Sequence, residues 1–332
     1  MIRLTAVRVS YQELYDALRG ALSATAIDPG RAALCARLIA DTTRDGVYSH
    51  GLSMFPRLLT MIASGIVDPT ARPIRTASHG AIERWDGGRG VGNLNAYACM
   101  DAAIGLARSH GIGCVALANT NHWMRGGTYG WQAADAGVIA ICWTNTLPNL
   151  PPWGADEPLI GNNPLVIAVP RPGTDAHVVL DMAMSQFSYG ALASYRRRGE
   201  LLPVVGGFDG SGELTRDPAA IERSRRPLPI GFWKGSGLSI VLDLMAALLA
   251  NGRATHEIQT NPEQETGLSQ TFIAIDVNSM TGVSDAARIA NKVVEHLGAR
   301  YPGERTLETR RRNLSEGIPV EASDWEWLQS RF

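Results

Sequence analysis

The chain has 332 residues, 45% of them hydrophobic, and a formal net charge of -1 from 31 Lys and Arg against 32 Asp and Glu. This hydrophobic share can bury one large core or two modest ones, which excludes a disordered chain. A nearly neutral chain has no bulk field to hold nucleic acid or an anionic membrane, so we expect a small-molecule partner and neither of those two.

The cysteines and the first residues predict a cytoplasmic protein. Cys35, Cys99, Cys114 and Cys142 have no CxxC spacing and lie in apolar surroundings, as buried reduced thiols do. The first twenty residues interrupt their apolar positions with charges, unlike a secretion signal. Nowhere does the sequence reach the roughly 18 unbroken apolar residues of a membrane span.

The chain begins with a predicted helical region that extends to about residue 64. Ser10 and Glu13 have the spacing of a capping box, which predicts a helix start. Two further helices are predicted over residues 29–43 and 51–64. The string YSHG at 48–51 therefore lies at a junction between helices, where the side chain of His50 is exposed.

From about residue 76 the pattern predicts a mixed α/β sheet domain. Short apolar runs such as IERWDG, GCVALAN and VIAICWTN alternate with helical segments, one of them at 93–110. Further strands are predicted at 164–170, 177–182 and 270–277. The polar stretch 196–226 predicts a long surface excursion, a helix follows at 235–251, and the chain becomes helical again from 285 onward.

Two histidines are candidates for chemistry. His50 has the right type of side chain for a proton donor, because imidazole titrates near pH ~6.5. A lone loop histidine is more often a surface or structural residue. His122 lies in NTNHWMRGG with Asn121 and Arg125, a stretch that suits a polyhydroxylated ligand and suits a simple Asn- and Gly-containing turn equally well.

No standard nucleotide motif is present. The nearest approach to G-x-G-x-x-G, at 87–92, has the wrong spacing and is better explained as a flexible turn. Lys234 and the glycines after it precede a helix, which suits either a phosphate site or a plain capping turn. A bound dinucleotide would therefore need a non-Rossmann scaffold. Without HExxH, paired Cys/His spacing or GxSxG, we expect no metal and no acyl transfer.

Longer strings carry a resemblance that covers the chain from near Tyr11 to its C-terminal region. The sequence resembles the malate/L-lactate dehydrogenase family, which is unrelated to Rossmann-type dehydrogenases, in DTTRDGVYSHG, GCVALANTNHWMRGGTYGWQAA, NNPLVIAVP, VVLDMAMSQFSYG and WKGSGLSIVLDLM. NHWMRGGTYGWQAA and PPWGA are most similar to its 2,3-diketo-L-gulonate reductase branch. The resemblance implies a fold like that of L-sulfolactate dehydrogenase: a largely antiparallel sheet domain (76–284) for the dinucleotide and a helical domain from both chain ends (1–75 and 285–332).

The resemblance also implies an activity and an assembly. The expected enzyme is a homodimer with its active site near the subunit interface, and it uses NAD(H) or NADP(H) to reduce a 2-oxo acid, 2,3-diketo-L-gulonate to 3-dehydro-L-gulonate in the branch. His50 matches the proton donor and His122 the second active-site histidine. Asp181 orients either a ribose hydroxyl or an imidazole. The matching dinucleotide positions are Val179, Leu180, Asp181, Met182, Ala183, Met184, Ser185, Trp233, Lys234, Gly303, Glu304 and Arg305.

Three departures from the family pattern concern the substrate and cofactor. Met54 stands where many relatives have arginine, so Arg57 or Arg125 is expected to hold the substrate carboxylate, with Asn121 beside them. Asn162 replaces a usual threonine, and Arg305 stands where the branch has histidine. The alternatives are a malate/lactate-type 2-oxo acid reductase, a cyclic imino acid reductase and a non-catalytic ligand-binding relative. A hydrolase using His50 and Asp181 has no nucleophile motif.

Overall fold

The computed structural model describes residues 6–331. Within that range the helices are α1 (Tyr11–Ser23), α2 (Pro29–Arg44), α3 (Phe55–Ala63), α4 (Gly92–His110), α5 (Gly127–Asp135), α6 (Tyr189–Arg198), α7 (Pro218–Ser224), α8 (Trp233–Ala250), α9 (Val277–Thr281), α10 (Val283–His296), α11 (Glu304–Glu316) and α12 (Ala322–Gln329). The strands are β1 (Ala6–Val9), β2 (Ile74–His79), β3 (Ile82–Asp86), β4 (Ile112–Thr120), β5 (Ile139–Thr144), β6 (Pro148–Leu150), β7 (Ile160–Gly161), β8 (Leu165–Val169), β9 (Val178–Met182), β10 (Gly207–Phe208), β11 (Leu214–Thr215), β12 (Leu268–Ile275) and β13 (Ile318–Glu321).

A seven-stranded sheet with the order β2-β3-β4-β12-β5-β8-β9 forms the centre of the molecule. Its neighbouring strands are antiparallel except for the parallel pair β3 and β4. The central strand β12 places Phe272 opposite Val115 of β4 and Cys142 of β5, and all three side chains are fully buried. The predicted mixed, largely antiparallel and non-Rossmann sheet is confirmed.

Both ends of the chain share a second core. The capping box at Ser10 is confirmed: its hydroxyl accepts from the Glu13 N–H at 3.1 Å, and the Glu13 carboxylate accepts from the Ser10 N–H at 2.8 Å. Strand β1 pairs antiparallel with β13. Ile318 and Leu328 from the C-terminal end are buried with the apolar faces of α1, α2 and α3. The exact division into domains at 75 and 285 stays a prediction.

The helix predicted over 51–64 begins only at Phe55. Gly51 has φ -100 and ψ -124, outside the helical region, and separates two 3-10 turns, Tyr48–His50 and Leu52–Met54. Gly51 is required there because a Cβ would lie 2.4 Å from the Thr43 hydroxyl oxygen on α2. The junction is thus a tight double turn pressed onto α2, which fixes the position of His50.

Two other segments differ from expectation, and a third gains detail. The excursion at 196–226 contains the β10–β11 hairpin and α7, over a small core of Leu192, Leu202 and Ile221. The C-terminal portion contains strand β13, although helix was predicted throughout. Strand β12 ends at Ile275, because Asp276 caps α9 through a side-chain hydrogen bond to the Asn278 N–H.

Candidate active site

A cavity of about 810 Å³ lies between the helical region and the sheet. That volume suits a small ligand or part of a cofactor. Its wall includes many of the residues singled out from the sequence: His50, Met54, Arg57, His122, Arg125, Asn162, Asp181 and Ala183. Side chains separated by more than a hundred positions in the chain therefore meet at one site.

His50 is held at the cavity by its turn. The Ser49 hydroxyl lies 2.9 Å from His50 Nδ1, and Ser49 packs against Gly190, where a Cβ would lie 2.6 Å from the Ser49 Cβ. Burial lowers the pKa of His50 below 6.5; the Asp181 carboxylate opposes this, and Arg125 and Arg57 add to it. A hydroxyl both donates and accepts, so Ser49 can form a hydrogen bond with the His50 ring in either protonation state.

His122 lies beside His50, with ring centroids 5.9 Å apart and ring planes inclined by 21°. The Met124 N–H donates to His122 Nδ1 at 3.1 Å. Burial lowers the pKa of His122 well below 6.5, and the neighbouring His50 and Arg57 lower it further. The two imidazoles thus share one site but have different hydrogen-bond partners.

Asp181 projects from β9 toward the start of α5. Its carboxylate accepts from the Gly127 N–H at 2.8 Å and lies 4.0 Å from Arg125 Nε. A carboxylate is favourable at a helix N-terminus because the N–H groups there have no partners within the helix. Gly127 permits this approach, since a Cβ would lie 2.7 Å from Asp181 Oδ2.

Both arginines expected to hold the substrate carboxylate already have a protein carboxylate as partner. Arg57 Nη2 donates to Glu265 at 2.9 Å and also to the Pro262 carbonyl. Arg125 Nη1 donates to Asp45 at 2.7 Å. Within residues 6–331, the buried Nε of each arginine has no hydrogen-bond partner. Both arginines line the cavity, but these two unpartnered Nε atoms are themselves buried.

Asp45 is a buried anion that the sequence did not single out. It accepts hydrogen bonds from Arg44, Arg125 and Arg310 at 2.7 to 2.9 Å. Burial raises the pKa of Asp45, but the Arg310 hydrogen bonds and the charges of Arg125 and Arg44 outweigh it and lower the pKa to about 2. Asp45 thereby connects α11 to the site through Arg125.

Other placements differ from the sequence-based expectation. Asn121 does not line the large cavity; its amide donates to the carbonyls of Arg89 at 2.6 Å and Gly90 at 2.8 Å, which holds a neighbouring loop. Glu265 lines the cavity, is 3% exposed, and was not foreseen. Nothing in its local sequence marks Glu265, because its role depends on contacts with Arg57 and the Leu147 N–H.

The three segments matched to dinucleotide contacts are adjacent along β9, the edge strand of the sheet. The Val179 N–H donates to the Pro302 carbonyl at 2.9 Å, next to Gly303, which has φ +98. At the other end of the strand, the Ile230 N–H donates to the Met184 carbonyl at 2.8 Å, just before α8. The matched segments are therefore neighbours in the fold, with 303–305 near one end of segment 179–185 and α8 near the other.

The start of α8 suits a phosphate group. No side chain caps this helix, and Lys234 lies in its first turn. Gly237 has open space where a Cβ would be. The N–H groups of Lys234, Gly235 and Ser236 already donate to backbone carbonyls, so the helix dipole and the Lys234 ammonium group are what would attract an anion here. Among residues 6–331 no group of three or more His, Cys, Asp and Glu side chains is arranged to hold a metal ion.

Comparison with known proteins identifies the family. The model of the malate/L-lactate dehydrogenase family matches residues 9–329. The chain belongs to this family. A 2,3-diketo-L-gulonate reductase of Citrobacter koseri is 46% identical over 98% of this chain and 100% of its own length. This member of the malate/L-lactate dehydrogenase family is thus an oxidoreductase that acts on CH–OH or C=O groups.

Solved structures of similar proteins agree with the fold. The Δ1-piperideine-2-carboxylate reductase of Pseudomonas syringae pvar. tomato has a TM-score of 0.88 and 31% identity, covering 98% of this chain and all of that one. Sulfolactate dehydrogenase of Methanocaldococcus jannaschii has a TM-score of 0.87 and 25% identity, covering 98% and 96%. The expected likeness to sulfolactate dehydrogenase is confirmed.

Proposed function

We propose that this enzyme reduces the 2-oxo group of a 2,3-diketo sugar acid, converting 2,3-diketo-L-gulonate to 3-dehydro-L-gulonate. The observation that carries the proposal is the placement of His50 at a cavity of about 810 Å³ with Asp181 and the arginines Arg57 and Arg125. The name of the Citrobacter koseri relative supports the substrate class.

The proposed cofactor is NAD(H), with NADP(H) as the alternative. When bound, it supplies the hydride for the carbonyl carbon. Segment 179–185, Trp233 with Lys234, and 303–305 would hold it, because backbone hydrogen bonds at Val179 and Met184 bring the other two segments next to 179–185. Of these residues, Asp181 and Ala183 also line the cavity, so the proposed cofactor surface reaches the substrate space.

In this mechanism His50 gives its proton to the carbonyl oxygen as negative charge develops there. The Ser49 hydroxyl, 2.9 Å from Nδ1, orients the ring, and the Asp181 carboxylate favours its charged form. The guanidinium groups of Arg57 and Arg125, which line the cavity, orient the substrate carboxylate. Met54 contributes only apolar contact.

A substrate panel tests this proposal. We expect NADH oxidation, followed by absorbance, to be fastest with 2,3-diketo sugar acids and slower with pyruvate-like acids. The second candidate is a cyclic imino acid reductase, which the 31% identity to Δ1-piperideine-2-carboxylate reductase favours. Faster turnover of cyclic imines would replace the first candidate by the second. NADH binding without oxidation of any member would indicate a non-catalytic relative.

We also propose that the enzyme is a cytoplasmic homodimer whose subunits meet through α8. This helix is long and apolar enough to span a membrane by length and composition. Only 33% of it is buried in the fold, so most of its apolar surface faces outward. Leu244 and Leu248 are 53% and 77% exposed. Such a large apolar face needs a cover. We propose a second copy of this chain as the partner that buries this face. The helix begins at the proposed cofactor segments, and the resemblance implies an active site near the subunit interface.

Mass measurement in solution tests the dimer. Leu248→Glu should convert a dimer into a monomer, measured by light scattering after gel filtration, because it places a charge in the apolar contact. Leu214→Glu, on the exposed β10–β11 hairpin, is the matched control and should remain dimeric. A wild-type protein that stays monomeric at micromolar concentration, or that sediments with membranes, would contradict the assignment.

A further inference from the structure

The two imidazoles at the cavity differ in what holds their Nδ1 atoms. His50 Nδ1 is next to the Ser49 hydroxyl at 2.9 Å, whereas His122 Nδ1 accepts from the Met124 N–H at 3.1 Å. A hydroxyl can rotate to serve either a bare or a protonated nitrogen, but a backbone N–H can only donate. His50 can therefore change its protonation state in place, and His122 cannot.

The hydrogen bond from the Met124 N–H to Nδ1 fixes the tautomer of His122. With Nδ1 accepting, the single ring proton is on Nε2, and protonating Nδ1 would set two N–H groups against each other. Met124 has φ +63, a left-handed conformation that costs free energy in a residue other than glycine and persists where the surroundings enforce it. The charges that face His122 are His50 and Arg57, and both disfavour a second cation there.

We propose that His122 is a permanently neutral hydrogen-bond donor, whose Nε2–H binds the oxygen on the carbon next to the reacting carbonyl and so selects substrates that carry a C3 oxygen. This inference rests on the proposed function, in which His50 protonates the reacting oxygen. The rings are nearly parallel, 5.9 Å apart between centroids, and both line the same cavity, so one small ligand there can contact both. A neutral donor matches a keto or hydroxyl oxygen, while the arginines match the carboxylate.

The experiment compares two substrates on His122 variants. The substrates are 2,3-diketo-L-gulonate and a 3-deoxy-2-oxo acid of the same chain length, with NADH as the reductant. His122→Leu should lower kcat/KM for the diketo acid roughly 10- to 100-fold, as expected for one lost hydrogen bond with its partner left unpaired, and change kcat/KM for the 3-deoxy acid by less than about threefold. His79→Leu on the exposed strand β2 is the matched control.

His122→Gln separates a donor from a titrating group. Its amide N–H restores a donor that cannot ionise, so we expect it to recover most of the diketo preference and to keep the wild-type pH profile of kcat/KM. Equal losses of kcat/KM on both substrates in His122→Leu would contradict this role of His122 but not the proposed function. So would the disappearance of an ionisation from the pH profile of kcat/KM in His122→Gln. Wild-type enzyme that reduces neither acid would overturn the proposed function and this inference with it.

Discussion

His50→Ala is expected to lower kcat for reduction by roughly two to four orders of magnitude, because it removes the group that supplies a proton to the developing alkoxide. Dinucleotide affinity should stay nearly unchanged, since the turn that carries His50 is not among the segments proposed to hold the cofactor, which are 179–185, 233–234 and 303–305. Stopped-flow NADH oxidation gives the rate, and fluorescence titration with NADH gives the affinity.

The control for this variant is His110→Ala, at the exposed last turn of α4, which should leave both quantities unchanged. His50→Gln is a second useful variant, because it retains polarity next to Ser49 but cannot carry a transferable proton at neutral pH. Near wild-type kcat in either His50 variant would remove this residue from the proposed mechanism.

Asp45→Asn is expected to lower the free energy of unfolding by about 3–5 kcal/mol, the usual cost of leaving buried charges without their counter-ion. Asp45 is 4% exposed and accepts from Arg44, Arg125 and Arg310, so the amide would face three guanidinium groups. Urea unfolding measures the change. The control Asp16→Asn removes an exposed ion pair with Arg19 and should cost less than about 1 kcal/mol.

Asp45 also predicts how stability depends on pH. Its pKa is lowered from 3.8 to about 2 in the folded state, so its contribution is fully present above pH 3.8 and is lost as the pH falls through about 2. This difference between the two pKa values corresponds to a contribution of roughly 2 kcal/mol to the free energy of unfolding. The free energy of unfolding, measured between pH 5 and pH 2, should therefore depend less steeply on pH in Asp45→Asn than in the wild type. The same dependence on pH in both proteins would contradict this role.

Much of the fold could be predicted from the sequence, because local patterns specify it. Ser10 and Glu13 indicate the first helix, and apolar runs such as GCVALAN mark the strands of the sheet. Strand β13 was missed because its four residues are stabilised by pairing with β1, over three hundred positions away in the chain. Pairing of that kind leaves no local signal.

The candidate site was predictable only where motifs carry the information. His50 and His122 lie in recognisable strings, and the structure brings them to one cavity. Asp45 and Glu265 were missed, because each accepts a hydrogen bond from an arginine that is distant in sequence. The sequence offered Arg57 or Arg125 to bind the substrate carboxylate; in the structure both line the cavity and both already pair with protein carboxylates.

The central claim, that His50 exchanges the proton of the reaction, is tested most directly by pH profiles of kcat/KM in both directions on one preparation. Reduction needs protonated His50 and should fall as the pH rises through a pKa below 6.5, where burial places it. Oxidation of the hydroxy acid needs neutral His50 and should rise through the same pKa. Mirror-image profiles that vanish in His50→Gln are the predicted result; profiles with no shared ionisation, or unchanged ones in that variant, would contradict it.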